Sequence, residues 1–271
     1  MTAKSRLFTG GMFPPVMLGL IALAWATLAL WEASPYGRYL DHGNWTEIGL
    51  AGAICTFLPQ GELLVPLVLY AGGWLLMSAA MMLPTTLPLL EVFRRMVGGR
   101  PDAASLVGLV ICGYLLTWAG FGVVAHVLDI GVNVLVRETP WLAFNGWALG
   151  AAVLALAGWF QFSALKHHCL TRCRAPLSFV VSRWHGRSPR REALRLGLAH
   201  GVFCVGCCWA LMLLMFVVGT GSVGWMLGLG AVMALEKNLA GPGWLSRHLG
   251  SALGIALLAG ASAITVSHVW M

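Results

Sequence analysis

The stretch HGVFCVGCCWALMLLMF, residues 200–216, places one histidine, three cysteines and two methionines in a segment that is otherwise apolar. The apolar segment around it runs from Leu194 to Gly219, longer than the roughly 20 residues that a transmembrane helix needs. Three interpretations of its sulfur side chains compete: a soft-metal site, a thiol redox device, or packing by small and flexible side chains. The rest of the chain shows what kind of protein surrounds them.

The composition is that of an integral membrane protein. Of the 271 residues, 59% are hydrophobic and only 10% are charged, and the mean hydropathy is +0.81, which is outside the range of soluble domains. The net charge of +7 does not indicate nucleic acid as a partner, because the basic residues lie between apolar segments and form no aromatic-interleaved patch. Seven cysteines, an odd number, disfavour a disulfide framework. We predict one membrane domain over residues 1–271, with the lipid bilayer as its surroundings.

Seven apolar segments predict an all-α, polytopic bundle of about seven transmembrane helices. All but Arg38 and Arg137 of the 17 Lys and Arg residues fall on one side of these spans, which predicts a cytoplasmic N-terminus and an outer C-terminus. We interpret the first segment as a retained helix and not a signal peptide, because it is long enough to span. Residues 38–62 and 173–192 mix charged and apolar residues as membrane-surface segments do. The predicted spans are Pro14–Trp31, Leu63–Leu83, Ser105–Val124, Trp141–Leu165, Leu194–Gly219, Val223–Leu235 and Leu249–Trp270.

The sulfur residues of the fifth span share one helical face. On an ideal helix with His200 at zero, the side chains within an arc of about 100° are those of Cys204, Cys207, Cys208 and Met215, with Met212 just beyond. Gly197 and Gly201 would let a neighbouring helix approach closely. Packing explains any single one of these residues, but soft-metal binding explains the whole set without coincidence.

The second span carries methionines at a matching depth. It reads WLLMSAAMMLPTTLPLLE, residues 74–91, and its candidate ligands are Met77, Met81 and Met82. Both sulfur sets fall about 14 to 18 Å from the inner surface by the 1.5 Å rise per residue. Pro84 and Pro88 should break the helix beside them and free backbone carbonyls. A proline-kinked helix with methionine as packing explains this segment equally well.

Two further groups lie on the predicted inner side. In KHHCLTRCRAP, residues 166–176, Cys169 and Cys173 are four residues apart and share a helical face, which suits an entry site for a metal; a solvated basic loop is the alternative. Glu236 and Lys237 end the sixth span, as interfacial anchors or as a counter-charge or gate at the inner mouth.

These motifs together resemble a bacterial family of predicted metal-binding integral membrane proteins, a domain of unknown function. The resemblance covers about residues 70–240 and implies a location in the bacterial cytoplasmic (inner) membrane. It also implies importance for matching residues, including Lys166, Trp74, Pro84 and Trp209, in addition to the cysteines, methionines and charged pair above.

Binding of Cu(I), for transport or delivery at the cytoplasmic membrane, is the function that this ligand set favours. Thiolates and thioethers select Cu(I), and methionine is an unusual ligand for Zn²⁺; another transition metal remains an alternative cargo. A metallochaperone or a membrane complex is the expected partner. The alternatives are a membrane thiol oxidoreductase and a structural or assembly subunit. The sequence supports no catalytic residues, so an enzymatic activity is not predicted.

Overall fold

The computed structural model describes residues 13–34, 64–218, 222–238 and 244–270, and the regular structure in these ranges is entirely helical. The all-α prediction is therefore confirmed. The predicted surface segment at 38–62, with Cys55, lies outside these ranges. The helices are α1 (Phe13–Glu32), α2 (Leu64–Met82), a 3₁₀ turn (Pro84–Thr86), α3 (Leu87–Val97), α4 (Ala103–Glu138), α5 (Pro140–Phe144), α6 (Trp147–Phe160), α7 (Ala164–Cys173), α8 (Pro176–Val181), α9 (Pro189–Leu213), α10 (Met215–Val218), α11 (Val223–Asn238) and α12 (Trp244–Val269).

Four helical segments of the described chain are long and apolar enough to cross a membrane. Two bent helix pairs raise the number to six if each pair is one span. The helix predicted as the sixth span, α11, has only 16 residues and is not among them. The predicted total of seven spans and the cytoplasmic N-terminus are therefore not confirmed. The four are Pro15–Glu32, Ala103–Glu138, Pro189–Val217 and His248–Val269, and the pairs are Ala71–Met82 with Pro84–Val97 and Gly146–Phe160 with Ala164–Cys173.

The first bent pair breaks at a proline, and the second at a serine that caps the next helix. Pro84 begins the 3₁₀ turn, and the chain bends by 45° between α2 and α3, as the proline positions predicted. The predicted span Trp141–Leu165 is wrong as a single helix, because α6 ends at Phe160 and α7 leaves at 64°. Ser163 starts α7 by accepting a hydrogen bond from the Lys166 N–H at 3.1 Å, as N-cap serines do.

The longest helix, α4, contains 36 residues and is longer than the predicted segment that ended at Val124. Its rise is about 54 Å at 1.5 Å per residue. The helix continues through polar positions, where Asn133 Nδ2 donates to the Asp129 carbonyl oxygen at 2.8 Å. An apolar-run criterion stops where such polar residues begin, although the helix does not.

The cysteine-bearing helix α9 packs most extensively against α4. The contact depends on glycines from both helices: a Cβ on Gly197 would overlap the Val110 carbonyl oxygen, and one on Gly113 would overlap that of Leu194. A Cβ on Gly201 would lie 2.6 Å from Thr117 Cβ. The predicted close approach of a neighbouring helix is therefore confirmed, and it fixes the cysteines relative to α4.

The start of α9 is fixed by a turn and an acidic side chain. Gly186 adopts a φ of +73°, a conformation that glycine takes without steric cost. The Glu192 carboxylate accepts hydrogen bonds from the backbone N–H groups of residues 185–188 at 2.7–3.1 Å. A carboxylate in the first turn also suits the positive end of the helix dipole. In the preceding segment, which was predicted to lie on the membrane surface, Phe179 and Val180 are instead buried in the core.

Candidate metal centre

The three cysteines of α9 lie together in the core. Cys204, Cys207 and Cys208 are 0%, 2% and 1% exposed. The thiols of Cys207 and Cys208 donate to the Cys204 carbonyl oxygen at 3.1 and 2.9 Å. These two hydrogen bonds hold the three cysteine side chains along one turn of α9.

Met82 reaches these thiols because its helix ends at the proline break. Its Sδ lies 3.9 Å from Cys208 Sγ. The break frees the Met82 carbonyl, which accepts hydrogen bonds from Thr85 Oγ1 at 2.7 Å and Tyr114 Oη at 3.2 Å. The Met82 carbonyl thus has one partner from the turn that follows it and one from α4. These two hydroxyls hold the thioether end of α2 beside the thiols of α9.

Lys237, at the end of α11, is 6% exposed, and its ammonium group lies beside these sulfur atoms. Its Nζ lies 2.8 Å from Cys204 Sγ, 3.3 Å from Thr85 Oγ1 and 3.8 Å from Met82 Sδ. Cys204 Sγ is also 3.0 Å from Tyr114 Oη. Side chains of α4 and α11 therefore meet at Cys204 of α9, and the turn after α2 joins them through Thr85 and Lys237. We call the group of Met82, Cys204, Cys208 and Lys237 the sulfur cluster.

A second polar group lies beside the sulfur cluster and involves the preceding residue, Glu236. Lys166 Nζ lies 2.8 Å from each carboxylate oxygen of Glu236 and also donates to Gln161 Oε1. Arg174 donates to the Glu236 backbone carbonyl, with its Nε at 2.8 Å. The Glu236 carboxylate is thus paired with Lys166 and not with its chain neighbour Lys237. Within the described ranges, Lys237 has no carboxylate partner.

The cysteines of α7 connect the sulfur cluster to a less buried position. Cys173 is half-buried, and its thiol is an electrostatic neighbour of that of Cys207. Cys169 is 6% exposed and lies against α9, where a Cβ on Gly206 would be 2.6 Å from Cys169 Sγ. Thiols therefore follow one another from Cys173 through Cys207 and Cys208 to Cys204.

The remaining predicted ligands are buried in the same core but in different surroundings. The His200 ring lies between aromatic rings, 5.8 Å from that of Tyr114 and 5.5 Å from that of Phe179. Met81 packs its Cβ 3.7 Å from the position that a Cβ would take at Gly230 of α11. His200 and these methionines stay predicted ligands, and only Met82 is joined to the thiols by a short sulfur contact. The other methionines in this core are Met77, Met212 and Met215.

Glu236, Lys237 and Lys166 are all buried, which bears on whether the first two are interfacial anchors. Glu236 is 3% exposed, Lys237 6% and Lys166 1%. An interfacial anchor keeps its charged end in water, so this alternative is wrong for Glu236 and Lys237. Sequence reasoning also missed Gln161, Arg174, Thr85 and Tyr114. A hydroxyl inside a long apolar helix, which must find a partner, was the available signal for Tyr114.

The cluster matches the needs of a soft cation and not those of a hard one. Within the described ranges, no three His, Cys, Asp or Glu side chains form a group that could hold a metal ion. A thioether is outside that set, and two sulfur atoms bound to one ion at about 2.3 Å each lie no more than about 4.6 Å apart. The 3.9 Å between Cys208 Sγ and Met82 Sδ satisfies this limit. The fold and the cluster define a helical protein with a buried thiol and thioether centre.

The chain belongs to the PpoB2 family of copper chaperones. The family model matches residues 71–261, which is more than half of the chain and includes every residue of the sulfur cluster. No curated protein and no solved structure matches the chain. The family supports copper as the metal and copper binding or delivery as the function. The metal-binding part of the resemblance is thus supported, whereas a membrane location and a bacterial origin do not follow from the match.

Proposed function

We propose that this protein is a membrane-embedded copper chaperone that binds Cu(I) at the sulfur cluster and delivers it at the bacterial cytoplasmic membrane. The observation that carries the proposal is the convergence of Cys204, Cys208 and Met82 at one buried point. Sulfur ligands of both kinds favour Cu(I) over harder ions. Cu(I) binding would also account for a cluster of thiols that forms no disulfide in the described part of the chain.

The line of thiols supplies a route to this site. Cys173 is the half-buried member, and its thiol, that of Cys207 and that of Cys208 are successive electrostatic neighbours. An ion could therefore move by exchanging one sulfur ligand at a time, without passing through a stretch that lacks ligands. We propose that Cys173, supported by Cys169, receives Cu(I) from a metallochaperone or another thiol carrier. The recipient would be a membrane complex.

The membrane location is supported by the four to six candidate spans. We propose the seven-span topology with α11 as a short span and the N-terminus in the cytoplasm, which is supported by the one-sided distribution of Lys and Arg. Reporter fusions at the two ends test this topology. An odd number of spans requires the ends to lie on opposite sides of the membrane, so reporters on the same side would contradict it.

Competition titration of the detergent-purified protein with a Cu(I) chelator of known affinity tests the metal site. Cys204→Ser and Cys208→Ser should each weaken Cu(I) binding by at least about tenfold, since each removes a soft ligand. Cys112→Ser is the matched control, because Cys112 is an exposed cysteine of α4. Equal Cu(I) affinity in all four proteins would refute the proposed site.

A thiol oxidoreductase is the second candidate, and the placement of the Cys173 and Cys207 thiols as neighbours favours it. These two thiols could form one disulfide by giving up two electrons and two protons to an oxidised partner dithiol, which they would reduce. Mass spectrometry of alkylated protein after oxidation and after reduction tests this function. A reversible Cys173–Cys207 disulfide would support it, and two alkylated thiols in both samples would exclude it.

A further inference from the structure

The placement of Lys237 points to a selectivity device within the sulfur cluster. We propose that the Lys237 ammonium restricts this site to monovalent soft cations, Cu(I) and Ag(I), against divalent thiophilic cations such as Cd(II) and Zn(II). This inference rests on the proposed function, because it assumes that Cys204, Cys208 and Met82 hold the metal. It adds what the donor atoms alone do not determine, which is the charge of the cation.

The geometry puts a fixed positive charge next to every proposed ligand. The Nζ of Lys237 lies 2.8 Å from Cys204 Sγ, 3.8 Å from Met82 Sδ and 4.0 Å from Cys208 Sγ. Cys208 Sγ and Met82 Sδ are themselves 3.9 Å apart, so the ammonium and these two sulfurs form a nearly equilateral triangle. A cation held by these sulfurs is therefore a close neighbour of the ammonium.

The surroundings of Lys237 neither neutralise this charge nor let the helix end move away. Glu236 is paired with Lys166 through both of its carboxylate oxygens. The same ion pair ties the end of α11 to α7, and Arg174 adds a second tie through the Glu236 carbonyl oxygen. In the described part of the chain, the groups that face the Lys237 ammonium are sulfur atoms and the Thr85 hydroxyl.

Counting charges shows why this arrangement distinguishes the two classes of cation. Two thiolates, one monovalent cation and the ammonium sum to zero. The same ligands with a divalent cation sum to +1, and a buried charge without a partner is strongly unfavourable. If only one thiol is ionised, the divalent complex still carries one charge more than the monovalent one. The discrimination therefore holds whether one or both of the two ligand thiols lose their protons.

The test compares Ag(I) and Cd(II) binding to full-length protein in detergent, by competition with chelators of known affinity. The readout is the ratio of Cd(II) affinity to Ag(I) affinity. Loss of thiol protons affects both metals alike when the same thiols bind, so it cancels in this ratio. Lys237→Met removes the charge and keeps the length of the side chain. It should raise the ratio roughly 10- to 1000-fold, the range expected for one unit charge at this distance in a protein.

Two variants control for effects other than the charge at this position. Lys237→Arg keeps the positive charge and should keep the ratio of the wild type. Arg191→Met removes an exposed positive charge at the start of α9 and should also leave the ratio unchanged. An unchanged ratio in Lys237→Met overturns the inference, as does loss of both metals in Lys237→Met with both retained in Lys237→Arg.

The wild-type protein keeps the inference falsifiable if Lys237→Met does not fold. If it does not, Lys237→Gln replaces it in the comparison. In addition, wild type that binds Cd(II) as tightly as Ag(I) overturns the inference by itself. Failure of the proposed function gives a different result. Wild type that binds neither Cu(I) nor Ag(I) refutes the metal site, whereas Cu(I) binding with an unchanged Cd(II) to Ag(I) ratio refutes only the role of Lys237.

Discussion

Replacing Gly197 by alanine should separate α9 from α4 and destabilise the whole bundle. The added Cβ would overlap the Val110 carbonyl oxygen and lie 3.0 Å from the Tyr114 backbone nitrogen. Both neighbours are backbone atoms, so no side-chain rotation relieves the overlap and the two helices must move apart. Overpacking in a filled core costs about 1–3 kcal/mol, and we expect the upper part of this range because the obstacle is backbone.

The displacement should reach the metal centre as well. Tyr114 of α4 hydrogen-bonds both Cys204 Sγ and the Met82 carbonyl oxygen, and Cys204 lies two helical turns after Gly197. A shift of α9 therefore lengthens the Tyr114–Cys204 contact. We expect Gly197→Ala to weaken Cu(I) binding in addition to lowering stability.

Chemical denaturation in detergent, followed by circular dichroism, measures this effect. Gly120→Ala in α4 is the matched control, because nothing lies within 4 Å of the position that its Cβ would take. Alanine is a better helix former than glycine, so this control should be neutral or stabilising by up to about 1 kcal/mol. Equal stability of Gly197→Ala and Gly120→Ala would refute the proposed helix contact.

Three further predictions concern the buried polar groups and the metal. Lys166→Met should lower the free energy of unfolding by about 3–5 kcal/mol because it leaves the Glu236 carboxylate buried and unpaired. Adding Glu236→Leu should recover most of this loss. Chemical denaturation of both variants checks the prediction, and an equal loss in the two would contradict the pairing. Tyr114→Phe should cost about 1 kcal/mol through the lost hydrogen bonds, measured in the same way, and unchanged stability would contradict their contribution. Removing copper with a strong Cu(I) chelator should lower the unfolding temperature, since ligand at 100 times its Kd stabilises a protein by about 2.7 kcal/mol; an unchanged melting curve would argue against metal bound to the folded state.

The helical nature of the chain was predictable because apolar runs of about 20 residues are typical of long helices that can span a membrane. The boundaries were less predictable. Hydropathy continues through the Gln161–Ser163 break, so Trp141–Leu165 looks like one helix although it includes parts of three, α5, α6 and α7. Conversely, α4 is longer than predicted, because the helix continues past Val124 through polar residues that end an apolar run.

The sulfur side of the site was predictable from helical periodicity and depth. Cys204 and Cys208 share a face of α9, and depth placed Met82 in the same layer. Periodicity describes one helix at a time, however, and does not give the partner of a side chain on another helix. For this reason the ion pair between Lys166 and Glu236 was not predicted, and neither was the contact of Tyr114 from α4 with Cys204.

His200 illustrates the limit of a shared face. It lies on the same face of α9 as Cys204 by angle, but its ring packs between those of Tyr114 and Phe179. A shared angle brings two side chains to the same side of a helix, whereas their contacts also depend on what the neighbouring helices provide. Only the packing of α4 and α8 determines those neighbours.

X-ray absorption spectroscopy at the copper edge of the Cu(I)-loaded protein is the most direct test of the central claim that Cys204, Cys208 and Met82 bind the metal. We predict a first shell of two or three sulfur atoms at about 2.3 Å, the usual length of a metal–thiolate bond. In Cys204→Ser that shell should lose sulfur, and in Cys112→Ser it should not change. A first shell made of nitrogen or oxygen, or an identical sulfur shell in Cys204→Ser, would contradict the assignment.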